Sequence, residues 1–227
     1  MYEIQLNKPK ANTLSKDFMQ WIIDEIIAAK GQPILFTSST YAFCAGADLK
    51  EISHSSAPEI LEYVTVMEEL YDTLLAHSAP TVAAVNGHAT GGGLLLFLCC
   101  DFAYCSDQEG LYIGLPEVSA GVLVSPKLMN LFKQLMPFLS LRKMLLSAEL
   151  LSPQKALQLH LFDGIGPNVE ELARNRLEQL SELPKEVYAE TKKELITPQA
   201  SQQEFEQKIH SLVDSGSLKE HMARFMK

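Results

Sequence analysis

The chain has 227 residues, of which 47% are hydrophobic and 21% charged, and its formal net charge is −9. This length and composition suit one substantial hydrophobic core and exclude a chain that is disordered by composition. The acidic balance disfavours nucleic acid as a partner, because proteins that track a phosphate backbone usually carry positive charge. The longest apolar run, residues 91–100, is too short to cross a bilayer, so no membrane partner is expected.

The cysteines and the first residues bear on the cellular compartment. The four cysteines form no C-x-x-C pair, and no histidine cluster has the spacing of zinc ligands, so no metal site is expected. Residues 1–6 read as a strand, without the basic and apolar regions of a secretory signal. These features favour a reducing, cytoplasmic location. The cysteines are Cys44, Cys99, Cys100 and Cys105.

The first two-thirds of the chain alternate helical patterns with short apolar runs. Helical spacing of apolar residues predicts a helix over 15–30 and another over 58–77. The runs 34–36, 82–85 and 102–104 are brief and bounded by Pro, Gly, Asn or Asp, which predicts buried strands. Strands that alternate with helices indicate the α/β class. The predicted core-facing residues of the second helix are Ile60, Leu61, Val64, Met67, Tyr71, Leu74 and Leu75.

Helical patterns dominate from about residue 125 onward. Ser152-Pro153 is typical of a helix start, since a capping hydroxyl precedes a proline that needs no hydrogen-bond acceptor. The sequence 201–204 has the form of a capping box, and Leu212, Leu218, Met222 and Phe225 give the last residues an apolar stripe. We therefore expect a core with the active site over 1–167 and a helical region over 168–227, whose helices either fold back on the core or pack against another subunit in an oligomer.

Two segments are rich in small residues. In 43–51 (FCAGADLKE), small side chains follow a strand, and they either form a tight strand exit or let a ligand reach the backbone N–H groups. In 86–95 (NGHATGGGLL), three consecutive glycines open an apolar helix. They either permit close packing of helix and strand or leave bare N–H groups facing an anion or oxyanion. The spacing fits neither a dinucleotide fingerprint nor a phosphate loop.

Glu117 is the candidate acid or base. It follows a proline in the apolar stretch 113–117 (IGLPE). An acidic residue after proline is also ordinary in the first turn of a helix. If Glu117 is buried against Leu115 and Val118, its pKa should rise, which would suit a general base. The six histidines are scattered, and no G-x-S-x-G nucleophile motif is present.

Taken together and in order, these segments resemble the crotonase (enoyl-CoA hydratase/isomerase) superfamily. The opening 8–15 (KPKANTLS) is similar to its N-terminal signature, 43–51 and 83–101 to its two oxyanion segments, 114–121 to its acid-bearing turn, and 151–162 to the helix before the last core strand. The resemblance implies a spiral of β-β-α turns followed by a helical trimerisation region. It also implies a homotrimer or a dimer of trimers.

The resemblance further implies an acyl-CoA thioester as the substrate, with no separate cofactor. The backbone N–H groups of Ala47 and Gly92 would form the oxyanion hole, and Glu117 would be catalytic. The implied CoA cleft comprises Lys8, Ala11, Ala45, Asp48, Leu49 and Lys50. Apolar neighbours of Glu117 would line the acyl pocket, namely Leu95, Ile113, Leu115 and Val122.

Leu95 is the informative departure from the pattern. Hydratases of the superfamily carry one glutamate in the helix after the glycines and a second in the later turn, and here the first position is Leu95. A single carboxylate resembles the Δ3,Δ2-enoyl-CoA isomerases, which convert 3-enoyl-CoA to trans-2-enoyl-CoA. The alternatives are a hydratase, decarboxylase or thioester hydrolase of the same fold, or a non-catalytic acyl-CoA-binding subunit. Acyl chain length, and CoA against acyl carrier protein, stay open.

Overall fold

The computed structural model describes residues 1–196 and confirms the α/β class. One compact unit comprises Met1–Ser181, and the remaining described residues belong to a second unit. The predicted capping box at 201–204 and the stripe from Leu212 to Phe225 lie outside the described residues. Within residues 1–196, no helix combines the length and apolar character needed to span a membrane.

The strands and helices follow one another in a regular order. The strands are β1 Tyr2–Leu6, β2 Ile34–Ser38, β3 Ala42–Cys44, β4 Thr81–Val85, β5 His88–Thr90, β6 Phe102–Ser106, β7 Ile113–Gly114, β8 Leu150–Leu151 and β9 Gly164–Gly166. The helices are α1 Lys16–Ala28, α2 Leu49–Ser53, α3 Ala57–Leu75, α4 Gly92–Leu98, α5 Glu117–Ala120, α6 Pro126–Leu135, α7 Phe138–Ser147, α8 Pro153–Gln158, α9 Val169–Ser181 and α10 Lys185–Ile196.

The strands form two sheets, and successive turns of the chain contribute a strand to each of them. The five-stranded sheet has the order β1-β2-β4-β6-β9 and is parallel throughout. The second sheet has the order β3-β5-β7-β8, and only its β7–β8 pair is antiparallel. Each of the pairs β2–β3, β4–β5 and β6–β7 gives one strand to each sheet before the chain enters a helix. This is the predicted spiral of β-β-α turns.

The strands predicted from apolar runs are confirmed as β2, β4 and β6. All five residues of β2 and of β4 are buried, because parallel strands in this class are covered on both faces. Ser152 caps α8 by accepting a hydrogen bond from the Lys155 N–H, as the sequence predicts. α9 packs against β4 and β6 and belongs to the first unit. The oligomeric role of residues 168–227 stays a prediction.

The buried face of α3 differs from the predicted stripe. Leu61 is 68% exposed, whereas Tyr63 and Leu70 are buried. The buried positions follow the spacing i, i+4, i+7, i+8, i+11, which is one helical face, and Leu61 lies about 200° away from Tyr63 around the helix. The residues of this face are Tyr63, Met67, Leu70, Tyr71 and Leu74.

Candidate active site

The two small-residue segments meet in space. Gly46 follows β3 with a φ of +78°, and a Cβ atom on it would lie 2.5 Å from the Thr90 carbonyl oxygen and 3.0 Å from the Gly92 nitrogen. Only glycine permits both this backbone conformation and this close approach. The Thr90 hydroxyl also donates to the Ala45 carbonyl at 3.1 Å. The segment after β3 and the junction of β5 with α4 are therefore held in direct contact.

The glycines show a feature of each alternative that the sequence left open: close packing at one position and an unused backbone N–H at another. Gly93 packs against the Cys44 carbonyl and has no room for a side chain. Gly92 is the first residue of α4, so its N–H has no acceptor within the helix. Within residues 1–196, neither the Gly92 nor the Ala47 N–H donates a hydrogen bond to another protein group. Both groups remain available to a ligand oxygen.

Glu117 opens α5 and points its carboxylate toward the glycines. A Cβ atom on Gly91 would lie 3.0 Å from Glu117 Oε1. Glu117 Oε2 is buried and has no hydrogen-bond partner. Burial raises the pKa of this carboxyl above its ordinary value, although a hydrogen bond from its own backbone N–H opposes the shift. The rise that the sequence predicts for this pKa is therefore found, although Val118 is itself 58% exposed.

A cavity of about 350 Å³ joins the glycines to Glu117. Its lining includes most of the residues predicted for the oxyanion hole and the acyl pocket. The predicted site residues that line it are Ala45, Ala47, Leu49, Gly92, Leu95, Glu117 and Val122. Leu95 is almost completely buried, and Glu117 is the one carboxylate among the described residues of this lining.

Ile113 and Leu115 do not line this cavity. Both are fully buried in the hydrophobic core. Ile113 lies on β7, an inner strand that pairs with β5 on one side and β8 on the other. The cavity therefore gives no support to their predicted role in the acyl pocket.

Four of the residues expected in a CoA cleft also lie outside the cavity lining. Lys8 and Asp48 form an ion pair at 3.3 Å, and Lys8 donates to the Thr13 carbonyl at 2.8 Å. Asp48 caps α2 by accepting from the Lys50 and Glu51 N–H groups. The nearly buried Ala11 accepts a hydrogen bond from the Ala45 N–H, and the side chain of Lys50 is exposed. Their contact with CoA stays a prediction.

Sequence reasoning predicted α3 but missed that α3 and α6 close the cavity. The buried face of α3 gives it Tyr63, Met67 and Tyr71, and α6 gives it Leu128 and Phe132. Helical spacing identifies such residues as core but does not say whether they face a neighbouring helix or an empty space. The one available signal was that the helix predicted over 58–77 carries two tyrosines, because a buried hydroxyl needs a hydrogen-bond partner.

Comparison with known proteins identifies the family of the chain. The family model for enoyl-CoA hydratase/isomerase matches residues 1–226. The chain belongs to the enoyl-CoA hydratase/isomerase family. Solved structures of this family share its crotonase fold: subunit I of an enoyl-CoA hydratase of Geobacillus kaustophilus is 26% identical with a TM-score of 0.85, and covers 99% of this chain and 90% of that one.

Curated members of the enoyl-CoA hydratase/isomerase family carry names for both reactions. An enoyl-CoA isomerase/hydratase of Mycosarcoma maydis is 27% identical over 180 residues, 74% of this chain and 65% of that protein. A crotonyl-CoA hydratase of Syntrophomonas wolfei is 35% identical over 125 residues, 52% of this chain and 47% of that protein. The chain thus spans about half to two-thirds of the length of these relatives.

Proposed function

We propose that this chain is an enoyl-CoA isomerase that converts 3-enoyl-CoA to trans-2-enoyl-CoA with Glu117 as its only proton shuttle. The observation that supports this most directly is the lining of the cavity. Among the described residues it has one carboxylate, and Leu95 occupies the position where the resemblance expects a second. Moving a double bond requires one group that removes and returns a proton, whereas hydration requires a group for the water and a group for the carbon.

The first step is removal of a proton from C2 of the substrate by ionised Glu117. The C–H electron pair moves into a dienolate, and negative charge develops on the thioester oxygen. The free N–H groups of Ala47 and Gly92 would donate hydrogen bonds to that oxygen. Each such donor is worth about 3–4 kcal/mol of transition-state stabilisation.

The second step returns the same proton to C4, which places the double bond between C2 and C3. Glu117 suits both steps because its Oε2 atom has no hydrogen bond to break. The raised pKa of the buried carboxyl also makes it a stronger base than an exposed glutamate. The apolar Leu95 side chain would exclude water from the position where a hydratase would hold it.

The other polar side chains of the cavity are committed to protein groups. Tyr63 donates its hydroxyl proton to the Leu14 carbonyl, and Tyr71 donates to the Gly92 carbonyl at 2.8 Å. Ser125 donates to Glu68 at 2.6 Å. These hydroxyls cannot deliver a proton to substrate without losing an internal hydrogen bond, so they are poor substitutes for the second acid of a hydratase.

The test is a pair of spectrophotometric assays. We expect the protein to form conjugated 2-enoyl thioester from 3-enoyl-CoA, and to hydrate 2-enoyl-CoA much more slowly. Glu117→Gln keeps the size of the side chain but removes the base, so kcat should fall by about 10²–10⁴-fold. Glu109→Gln, an exposed glutamate outside the cavity, is the matched control and should keep the wild-type rate.

Three results would contradict the proposal. Hydration faster than conjugation would make the protein a hydratase in spite of Leu95. Release of free thiol or of carbon dioxide would identify a thioester hydrolase or a decarboxylase. Binding of acyl-CoA without any turnover would identify a non-catalytic subunit.

A further inference from the structure

Two tyrosines of α3 contact the two arms of the oxyanion hole. Tyr63 and Tyr71 lie eight residues apart on the buried face of the helix, which is about 12 Å along its axis. Both line the cavity beside Ala47 and Gly92. Each hydroxyl is bonded to the backbone of one of the two arms.

Tyr63 holds the arm that carries Ala47. Its hydroxyl accepts a hydrogen bond from the Asp48 N–H at 3.0 Å and donates to the Leu14 carbonyl. Leu14 pairs with this arm: its N–H donates to the Gly46 carbonyl at 2.8 Å, and Leu14 and Ala47 form an isolated parallel β-bridge. The hydroxyl of Tyr63 therefore lies between the Asp48 N–H and the Leu14 carbonyl, the two groups that the next hydrogen bond of this short parallel pairing would join.

Tyr71 holds the arm that carries Gly92. Its hydroxyl donates to the Gly92 carbonyl at 2.8 Å, and a Cβ atom on Gly92 would lie 2.8 Å from the same oxygen. Gly92 follows Gly91, whose φ of +57° lies in a region open to few other residues. The Gly92 N–H shares a planar peptide unit with the Gly91 carbonyl, which accepts hydrogen bonds from the Leu94 and Leu95 N–H groups. The Tyr71 hydrogen bond holds the next peptide unit, on the other side of the Gly92 Cα atom.

We propose, resting on the function above, that Tyr63 and Tyr71 are positioning residues that fix the orientation of the Ala47 and Gly92 N–H groups toward the thioester oxygen. A single helix carries both hydroxyls, so it sets the spacing of two donors that follow different strands, Ala47 after β3 and Gly92 after β5. Burial raises the pKa of both phenols, which keeps them protonated and able to donate. Preorganised donors stabilise an oxyanion best because they need no reorganisation during the reaction.

The test uses Tyr63→Phe and Tyr71→Phe, which remove a hydroxyl and keep the ring. Tyr2→Phe is the matched control, because it removes a hydroxyl that donates to Glu25 at 2.6 Å, and Tyr2 lies outside the cavity lining. For each variant we would measure kcat and KM, and the absorbance shift of bound 2,4-hexadienoyl-CoA. That shift reports polarisation of the thioester carbonyl without any turnover.

The two α3 variants should lose about 10- to 100-fold in kcat, with KM changed less than about threefold, because a small misplacement of a catalytic group has this effect. Both should also reduce the red shift of the bound probe, while Tyr2→Phe changes neither quantity. If Tyr63→Phe fails to fold, Tyr71→Phe, which breaks one hydrogen bond instead of two, carries the test.

Either of two results would overturn the proposal. Unchanged kcat and probe shift in folded variants would show that the hydroxyls do not set the donors. Loss of kcat with a full probe shift would show that they act on the substrate by another route. If the wild-type protein shifts the absorbance of the probe but moves no double bond, the isomerase proposal is contradicted. The role of the two tyrosines is still tested in that case, because the probe shift can be compared between the variants and wild type.

Discussion

Substitution of Gly91 by alanine should reduce both stability and activity. The φ of +57° and ψ of −126° at Gly91 are strained for any other residue, at a cost of about 1–3 kcal/mol. In a chain of this size 1 kcal/mol lowers the melting temperature by about 2–4 °C, so Gly91→Ala should melt about 2–12 °C lower. The new Cβ atom would also lie 3.0 Å from Glu117 Oε1, where ordinary contact begins at 3.4 Å.

The effect on activity follows from that contact. The carboxylate must retreat by roughly half an ångström, and since a 1 Å misplacement can cost about 100-fold, kcat should fall about 10-fold. Gly110→Ala is the control, because Gly110 has a φ of +83° but nothing lies within 4 Å of its Cβ position. It should lose stability and keep kcat in the conjugation assay. Equal kcat for Gly91→Ala and wild type would refute the placement of Glu117 beside the glycines.

Three further predictions concern Glu117 and Leu95. Because the base must be ionised, kcat/KM for 3-enoyl-CoA should rise with pH, with its midpoint above the ordinary glutamate pKa of 4.5, and a midpoint at or below that value would contradict the burial effect. Glu117→Gln should melt higher than wild type at pH 7. The Glu117 pKa is higher in the folded protein than in the unfolded chain, so wild type loses stability as the pH rises above the unfolded-chain pKa and Glu117 ionises, whereas glutamine does not ionise. The difference in melting temperature should vanish below pH 4, where Glu117 is protonated in both states. Leu95→Glu should raise the hydration rate of 2-enoyl-CoA above that of Leu95→Gln, and equal rates would show that a second carboxylate is not what hydration lacks.

Much of the fold could be predicted because strand and helix patterns are local. The runs that became β2, β4 and β6 are bounded by turn residues, and α1 and α3 were found from the spacing of their apolar residues. The pattern failed at the edges of helix faces, and it did not identify the short strands β5, β7 and β8. Ile27 of α1 continues the apolar run but is 63% exposed, because it lies beyond the edge of the buried face around the helix axis.

The site was predictable where a residue type serves only a few structural purposes. The glycines at 46 and 91–93 are needed for backbone conformation or close approach, so their positions in the sequence mark the two segments that meet beside the cavity and that we propose as the oxyanion hole. The closing helices and the pairing of Lys8 with Asp48 were not predictable, because they depend on contacts between residues far apart in sequence. Spacing along the chain carries no information about which buried face borders an empty space.

The absence of a hydrogen-bond partner for Glu117 Oε2 is itself an argument for a proton shuttle. A buried carboxylate usually has hydrogen bonds, because leaving it unpaired costs stability. The Tyr63, Tyr71 and Ser125 hydroxyls are all present in the same lining, yet each donates elsewhere. A hydroxyl bonded to Glu117 would lower its pKa and hold one oxygen away from the substrate. An unpartnered Oε2 can instead approach C2 and then C4, so the feature that weakens the fold is the one that a single-base isomerisation requires.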